Sequence, residues 1–352
     1  MGLRLQPAVK RPTGRLRVAA APLVSVCVPC RNHGRWLSHA LESVLVQTLQ
    51  DFEVIVVDDG SEDETPEVLR RFRDRRVRCF RNERQLGQAA AVNRALGVAR
   101  GAFIAILHAD DAWCPDALLE WTEVLYRHPE AGYVHSAGYY IDENDQVVGL
   151  CRPFAEEHVW PGLEAFHHHI LWNFVSTPSF ALARKECYQR IGGYDSGSPP
   201  YAVDLVAWLS IELVGWASAY TPRPLSYYRK HRKSISASVA MTASAGLDHV
   251  LGVQRLLNSP IAREVLTTQQ RQELWHLVIH HFAAFEFEES WHLLRMGCIS
   301  DAWRHLCAMA RIASFEKGRV ILTVSGALAR FGVQRWSSLR RRCSRTFKGK
   351  AI

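Results

Sequence analysis

The chain has 352 residues, 48% of them hydrophobic and 22% charged, with a net charge of +8. That is ordinary for a soluble globular protein with a well-buried core, and no apolar run approaches the roughly 18–20 residues a membrane span needs. The charge is uneven: residues 1–20 carry five Lys/Arg and no acid, and residues 335–352 carry seven and no acid, which leaves the body at −4. A mildly acidic body with basic ends is not a basic protein throughout. No nucleic-acid partner is expected, and the ends suit anionic lipid headgroups or simple solvation.

In chain order, Leu23 to Val28 is short and β-branched and reads as a buried strand stopped by Pro29. No uninterrupted apolar segment follows the basic N-terminal residues, so no secretory signal is expected. The nine cysteines are scattered and odd in number, which points to a reducing compartment; Cys27-x-x-Cys30 reads as one buried and one loop cysteine. A helical pattern follows from Trp36 to Val46. Phe52 to Val57 is a second buried strand ending at Asp58-Asp59-Gly60-Ser61, and Glu62 to Pro66 opens another helix with acids in its first turn. Val77 to Phe80 is a third strand, Leu86 to Ala99 a helix, Phe103 to Leu107 a fourth strand, and Asp116 to Tyr126 a helix.

Four strand–helix repeats with short connections predict right-handed crossovers and a mainly parallel sheet covered on both faces. Ligands of such sheets bind beyond the carboxyl ends of the strands. Pro29-Cys30-Arg31-Asn32, Asp58-Asp59-Gly60-Ser61 and His108-Ala109-Asp110-Asp111 all stand at strand ends, so they are expected on one rim. Farther on, Tyr133–Ile141 and Val147–Leu150 flank a turn and predict a hairpin. Ser179–Ala183 reads as a strand, Val203–Val214 as a helix and Trp216–Tyr220 as a late strand. From about Ser238 the pattern is helical: Leu247–Leu257, Gln269–Phe285, Glu288–Met296 and Asp301–Ala313, packed directly on the first region.

Adjacent carboxylates such as Asp110 and Asp111 repel each other, and a divalent cation would remove that penalty. Hard oxygen ligands suit Mg2+ or Mn2+, and the cation in turn would attract a diphosphate. A carboxylate of the Asp58-Asp59 pair is better used to accept hydrogen bonds from a base or a ribose hydroxyl. Neither a GxxxxGK[ST] loop nor a GxGxxG turn is present, so the ordinary phosphate cradles are missing.

Val24 to Asn32, Val56 to Ser61, Asn82 through Gly87 to Ala95, Leu107 to Trp113, Gly192-Gly193-Tyr194-Asp195, Asp204-Leu205 and Tyr228 to His231 together resemble the successive motifs of the family 2 glycosyltransferases, over roughly residues 22–236. The resemblance implies the GT-A nucleotide-sugar-binding fold, an α/β architecture with a mainly parallel mixed sheet covered by helices. Here a C-terminal α-helical region is added. The domain layout expected is a basic arm (1–20), a GT-A domain (21–236), a helical region (237–334) and a basic tail (335–352).

The same resemblance implies an inverting, metal-dependent transfer from a nucleotide-diphosphate sugar to a glycan or lipid-linked acceptor hydroxyl, in glycan, polysaccharide or glycolipid synthesis. Its nucleotide-sugar-binding positions fall on Pro29, Arg31, Asn32, Asp58, Asp59, Asn93 and Asp110, with Asp59 holding the base beside Pro29 and Arg31. Arg31 replaces a commoner aromatic residue, and a guanidinium plane can also stack. The Mn2+ or Mg2+ ligands would be Asp110 and Asp111, with His108 where the family's first Asp stands, and His231 approaching from the C-terminal side. Asp204 matches the catalytic base, although Val203 precedes it in place of the usual acid. Two other classes compete: a sugar-nucleotide nucleotidyltransferase, which would want a glycine-rich first loop, and a catalytically inactive nucleotide-sugar-binding module, which His108 and Val203 would favour. Asp195 is read as a turn residue or an acceptor contact, and His167-His168-His169 as helix surface. Gln334-Arg335-Trp336 lacks the spacing of processive synthases, which argues for transfer of one sugar or a few. Trp291, Trp303, Trp336 and Arg340-Arg341-Arg342 suit a headgroup-facing surface, a cytoplasmic location peripheral to the inner face of the membrane, or a homodimer contact.

Overall fold

The computed structural model describes residues 21–242 and 244–315. The basic arm, the basic tail, Gln334-Arg335-Trp336 and Arg340-Arg341-Arg342 lie outside them. The elements run β1 (Val24–Cys30), α1 (Gly34–Leu45), β2 (Phe52–Asp58), α2 (Thr65–Arg71), β3 (Val77–Arg81), α3 (Gln88–Val98), β4 (Phe103–Ile106), β5 (Ala112–Trp113), α4 (Ala117–Arg127) and β6 (Ala131–Ile141). Next come β7 (Val147–Cys151), β8 (His158–Trp160), α5 (Gly162–His169), a 3-10 turn at Pro178–Phe180, β9 (Ala181–Arg184), α6 (Lys185–Ile191), α7 (Val203–Leu213) and β10 (Ala217–Arg229). The helices α8 (Ile235–Thr242), α9 (Ala245–Leu257), α10 (Pro260–Val265), α11 (Thr268–Arg295) and α12 (Ile299–Ser314) follow.

One mixed sheet of order β3-β2-β1-β4-β9-β6-β10-β5 forms the centre, with β7 paired to β6 and β8 to β10. The half made of β3, β2, β1 and β4 is parallel throughout. β9 is antiparallel to both β4 and β6, and β6 is parallel to β10. The carboxyl ends of β1, β2, β4, β6 and β10 therefore share one edge. The three-strand rim expected from sequence is part of a longer one.

Continuous apolar runs form the central strands because helices cover both faces. Val26, Val28, Val54 and Val56 pack with Leu37, Leu41 and Trp121 on one face, whereas Cys27, Ile55 and Ile104 pack with Val92, Ala95 and Trp208 on the other. A third cluster joins Leu205, Leu209 and Leu213 of α7 to Val250, Val253, Val278, Phe282 and Ile312 of the C-terminal helices. Helix α7 is buried on nearly every side, as a helix hydrophobic all round should be. Direct packing of the C-terminal helices on the first region is thus observed.

Several boundaries differ from expectation. Pro29 does not stop β1; it pairs with Val57, and Cys30 pairs with Asp58. Cys30 is therefore a buried strand cysteine rather than a loop one. The strand expected at Trp216–Tyr220 runs on to Arg229, because Pro222 and Pro224 are absorbed by register shifts between Thr221 and Ser226. The two helices expected at Gln269–Phe285 and Glu288–Met296 are one helix of 28 residues, opened by a capping box between Thr267 and Gln270. No glycine or proline separates them, and buried Glu286 is held by His305 Nδ1 of α12 at 2.6 Å. Of the three histidines read as helix surface, His167 and His168 are exposed, but His169 is fully buried. Its Nδ1 lies 2.9 Å from buried Glu212, because α5 packs this face on α7.

Candidate nucleotide-sugar site

The first loop at the rim follows β1. Asn32 adopts a left-handed conformation with φ 57°, its amide donates to Ser61 Oγ at 2.9 Å, and its side-chain oxygen accepts from Glu62 N at 2.8 Å. Asn32 thereby stitches the loops after β1 and β2 together. Pro29 is buried in β1, and the Nε of Arg31 is buried without a protein partner.

The second loop follows β2. Asp58 closes its own turn by accepting from Ser61 N at 2.9 Å and pairs with Arg81. Asp59 is 3% exposed, and its oxygens accept from Asn82 Nδ2 at 2.6 Å, Leu86 N at 2.9 Å and Gly87 N at 2.8 Å. It shapes the loop between β3 and α3. Gly60, at φ 69°, lies where an added Cβ would come within 2.7 Å of the Arg84 carbonyl carbon, so the two loops touch backbone to backbone. On α3, Asn93 uses both ends of its amide on the Tyr194 backbone, accepting from its N at 2.7 Å and donating to its O at 2.8 Å.

The third cluster follows β4. Asp110 Oδ2 lies 2.8 Å from His231 Nε2 and 3.8 Å from His33 Nε2. His231 arrives because β10 runs parallel to β6 and delivers Tyr228 to His231 to this edge. Its ring is almost wholly buried and packs on Trp36 of α1, with centroids 4.3 Å apart. Asp111 is buried and accepts from Ser179 Oγ at 2.6 Å and from Arg229 N at 3.0 Å. His108 Nε2 lies 3.0 Å from Gln88 Nε2 and therefore accepts there, while its Nδ1 lies 3.5 Å from Thr177. Two triads have ligand atoms mutually within 4.8 Å: His33, Asp110 and His231, and His108, Asp110 and Asp111. Imidazole and carboxylate donors in this arrangement fit a divalent cation.

The two acids are electrostatically unlike. Burial raises both, but the imidazoles of His231, His33 and His108 hold Asp110 well below the usual carboxylate range. Asp111 is pushed up by burial and by the charge of Asp110, against the hydrogen bonds from Ser179 and Arg229. His108 is pulled down by burial, opposed by Asp110.

Asp204 stands in the first turn of α7. That helix leads directly into β10, with three residues between them. Asp204 accepts from the Leu205 amide at 2.9 Å. Burial raises its pKa to about 6, against the pull of that amide. Asp195 closes a turn with Ser198 Oγ at 2.9 Å and pairs with Arg255 of α9, so its carboxylate is used to join the loop to the C-terminal helices.

Three contributors were not anticipated. His33 lies in the loop after β1, and the strand-end argument that selected Arg31 and Asn32 applied to it equally. Ser179 orders Asp111 and, through its Oγ, the backbone of His108 at 3.0 Å. Arg229 is fully buried: its Nε donates to Asp110 O at 2.8 Å, Nη1 to Asp142 O at 2.9 Å, and Nη2 to Asp145 at 2.6 Å. It fastens the β6–β7 turn to the Asp110 loop. The Tyr228 to His231 motif marked this segment, but only His231 of it was given a role.

A mixed sheet covered by helices on both faces, with an acid flanked by imidazoles at its carboxyl edge, is the architecture of the GT-A fold. Residues 25–192 match the model of Glycosyl transferase family 2. Among curated proteins, the chain is 34% identical over 136 residues to an uncharacterized glycosyltransferase of Methanocaldococcus jannaschii, covering 38% of this chain and only 47% of that one. It is 28% identical over 218 residues to the Escherichia coli UDP-Glc:alpha-D-GlcNAc-diphosphoundecaprenol beta-1,3-glucosyltransferase WfaP, covering 61% of this chain and 80% of that one. Among solved structures, the mannosyltransferase PcManGT from Pyrobaculum calidifontis, in complex with GDP-Man and Mn2+, shares the fold with a TM-score of 0.54 at 18% identity, over 92% of this chain and 85% of that one.

Proposed function

We propose that this protein transfers a sugar, with inversion, from a nucleotide-diphosphate sugar to an acceptor hydroxyl in glycan or glycolipid synthesis. The observation that carries the reading is the meeting, at one sheet edge, of the Asp59 loop with the Asp110–His231 pair. In this reading Pro29 and Arg31 face the base, with the unpartnered Arg31 Nε turned to the nucleotide, and Asp59, held by Asn82, Leu86 and Gly87, shapes the loop beside it. Asn32, Asp58 and Asn93 act by fixing the loops around it, since their side chains are engaged with backbone or with Arg81. Asp110, with its neighbouring imidazoles, would hold Mn2+ or Mg2+, whose charge would offset that growing on the leaving diphosphate. Asp204 takes the proton of the acceptor hydroxyl, and its pKa of about 6 suits a base working near neutral pH. Inversion then needs one base opposite the leaving group and no covalent enzyme intermediate.

Binding and turnover of UDP-, GDP- and dTDP-sugars, with and without Mn2+, test this reading. Binding of at least one nucleotide sugar is expected. Failure to bind any would overturn it, binding without turnover in any acceptor extract would point to an inactive binding module, and formation of a sugar nucleotide from a sugar phosphate would point to a nucleotidyltransferase.

A lipid-linked acceptor, as in the name of the E. coli relative, would place the enzyme at a membrane surface. Among the described residues no helix is long and apolar enough to cross a membrane. The turn between α11 and α12, however, displays Trp291, Leu294, Met296, Ile299 and Trp303, each between 41% and 71% exposed, with Arg295 over the Trp291 ring at 5.5 Å. Tryptophan and arginine at the tip of a helical hairpin match the headgroup region of an anionic bilayer. Co-flotation with liposomes containing anionic lipid is expected, and loss of flotation when Trp291 and Trp303 are both changed to Ser. Protein that stays wholly in the soluble fraction would remove the membrane from this account.

A further inference from the structure

We propose that the divalent cation of this chain is held by His33, Asp110 and His231, a two-imidazole, one-carboxylate face, and that Asp111 and His108 support the loop without ligating. This rests on reading the rim as a donor-diphosphate site. The choice between the two triads follows from where their donor atoms are already committed.

Asp111 has one oxygen on Arg229 N at 3.0 Å and the other on Ser179 Oγ at 2.6 Å, and its side chain has no exposed surface. Recruiting it would cost two buried hydrogen bonds and detach β10 from the Asp110 loop. His108 Nε2 already accepts from Gln88, and its Nδ1 is 4.0 Å from Asp111 on the far side of that network. By contrast, His33 is a quarter exposed on a rim loop, His231 Nε2 and Asp110 Oδ2 are bonded only to each other, a contact that a cation between them would replace, and Asp110 keeps 12% of its side-chain surface open. Cation ligands at about 2.1 Å in an octahedron stand about 3 Å apart. The 2.8 Å Asp110–His231 separation meets that, and His33, at 3.8 Å from Asp110, has a short way to close.

The donor set fixes the expected cation. Two neutral imidazoles and one carboxylate favour Mn2+, Co2+ or Zn2+, whereas Mg2+ prefers oxygen and water. Trp36, packed at a tilt against the His231 ring, and Arg229, holding the Asp110 backbone, keep two of the three ligands in place before a cation arrives.

The test is Mn2+ binding to the full chain by calorimetry, together with pulsed EPR detection of imidazole nitrogen on the bound Mn2+. Two coordinated nitrogens are expected in the parent and one in each of His33→Ala and His231→Ala, with Mn2+ affinity about 10- to 100-fold lower in those variants. Asp111→Asn retains acceptor and donor atoms for Arg229 and Ser179 and is expected to keep both nitrogens and the parent Mn2+ affinity. Mg2+ is expected to bind at least about tenfold more weakly than Mn2+. Thermal melting of each variant separates loss of a ligand from loss of the fold. No Mn2+ binding, no nitrogen signal, or an unchanged signal in His33→Ala would overturn the assignment. The nucleotide-sugar reading is judged separately: donor binding without Mn2+ sinks only this inference, and Mn2+ binding without any donor affinity sinks only that reading.

Discussion

Asp204→Asn should leave donor binding unchanged and lower the transfer rate roughly 100- to 10,000-fold, the usual contribution of a positioned general base. The amide is isosteric and can still accept from the Leu205 amide, but it cannot take a proton. In the parent, the rate should rise with pH through about 6 and level off above it, as burial holds the base neutral at lower pH. The variant should lack that limb. The fold should tolerate the change. A carboxyl whose folded pKa lies near 6, above its ordinary 3.8, contributes stability that is complete below about 4 and is lost as pH rises through about 6. Above that pH the parent bears the cost of a partly buried charge and Asp204→Asn does not, so its melting temperature should be no lower than the parent's. Donor titration, a pH–rate profile and a melting curve make the three measurements. Intact turnover in Asp204→Asn would remove it from the role of base.

Asp110→Asn is expected to fail at the earlier step. Asp110 is the member common to both imidazole–carboxylate triads, and the surrounding histidines keep it ionised. The amide removes the charge on which a cation depends. Mn2+-dependent donor binding should weaken by at least about 100-fold, more than the loss of an outer-shell partner would cause. Calorimetric titration with UDP or GDP in the presence and absence of Mn2+ measures it. The two variants thus divide the proposed reaction: Asp110→Asn is silent because donor is not held, Asp204→Asn because acceptor is not activated. Donor affinity that is unchanged in Asp110→Asn would show that the rim does not grip a diphosphate through this residue.

Much of this site was legible because strand ends announce themselves. Val24 to Val28, Phe52 to Val57 and Phe103 to Leu107 are apolar runs cut off by polar clusters, and a parallel sheet brings such ends together. What hid the rest was β10. The strand expected to end at Tyr220 absorbs Pro222 and Pro224 as register shifts and carries Arg229 to the rim. The long helix α11 was expected as two helices meeting near Glu286, which the structure buries against His305.

Sequence alone determined the alternating α/β order, the buried strands and the shared rim that carries Asp59 and Asp110, because these depend on local periodicity and on topology that crossover geometry leaves little freedom to vary; Asp204 was singled out only by the family resemblance. Only the tertiary structure decided how the two rim carboxylates differ. Asp110 and Asp111 are neighbours of the same type, and nothing in their order separates them. Their difference comes from partners 68 to 121 residues away in the chain: Ser179 and Arg229 tie both oxygens of Asp111 to the surrounding frame, whereas His231 sets an imidazole against Asp110.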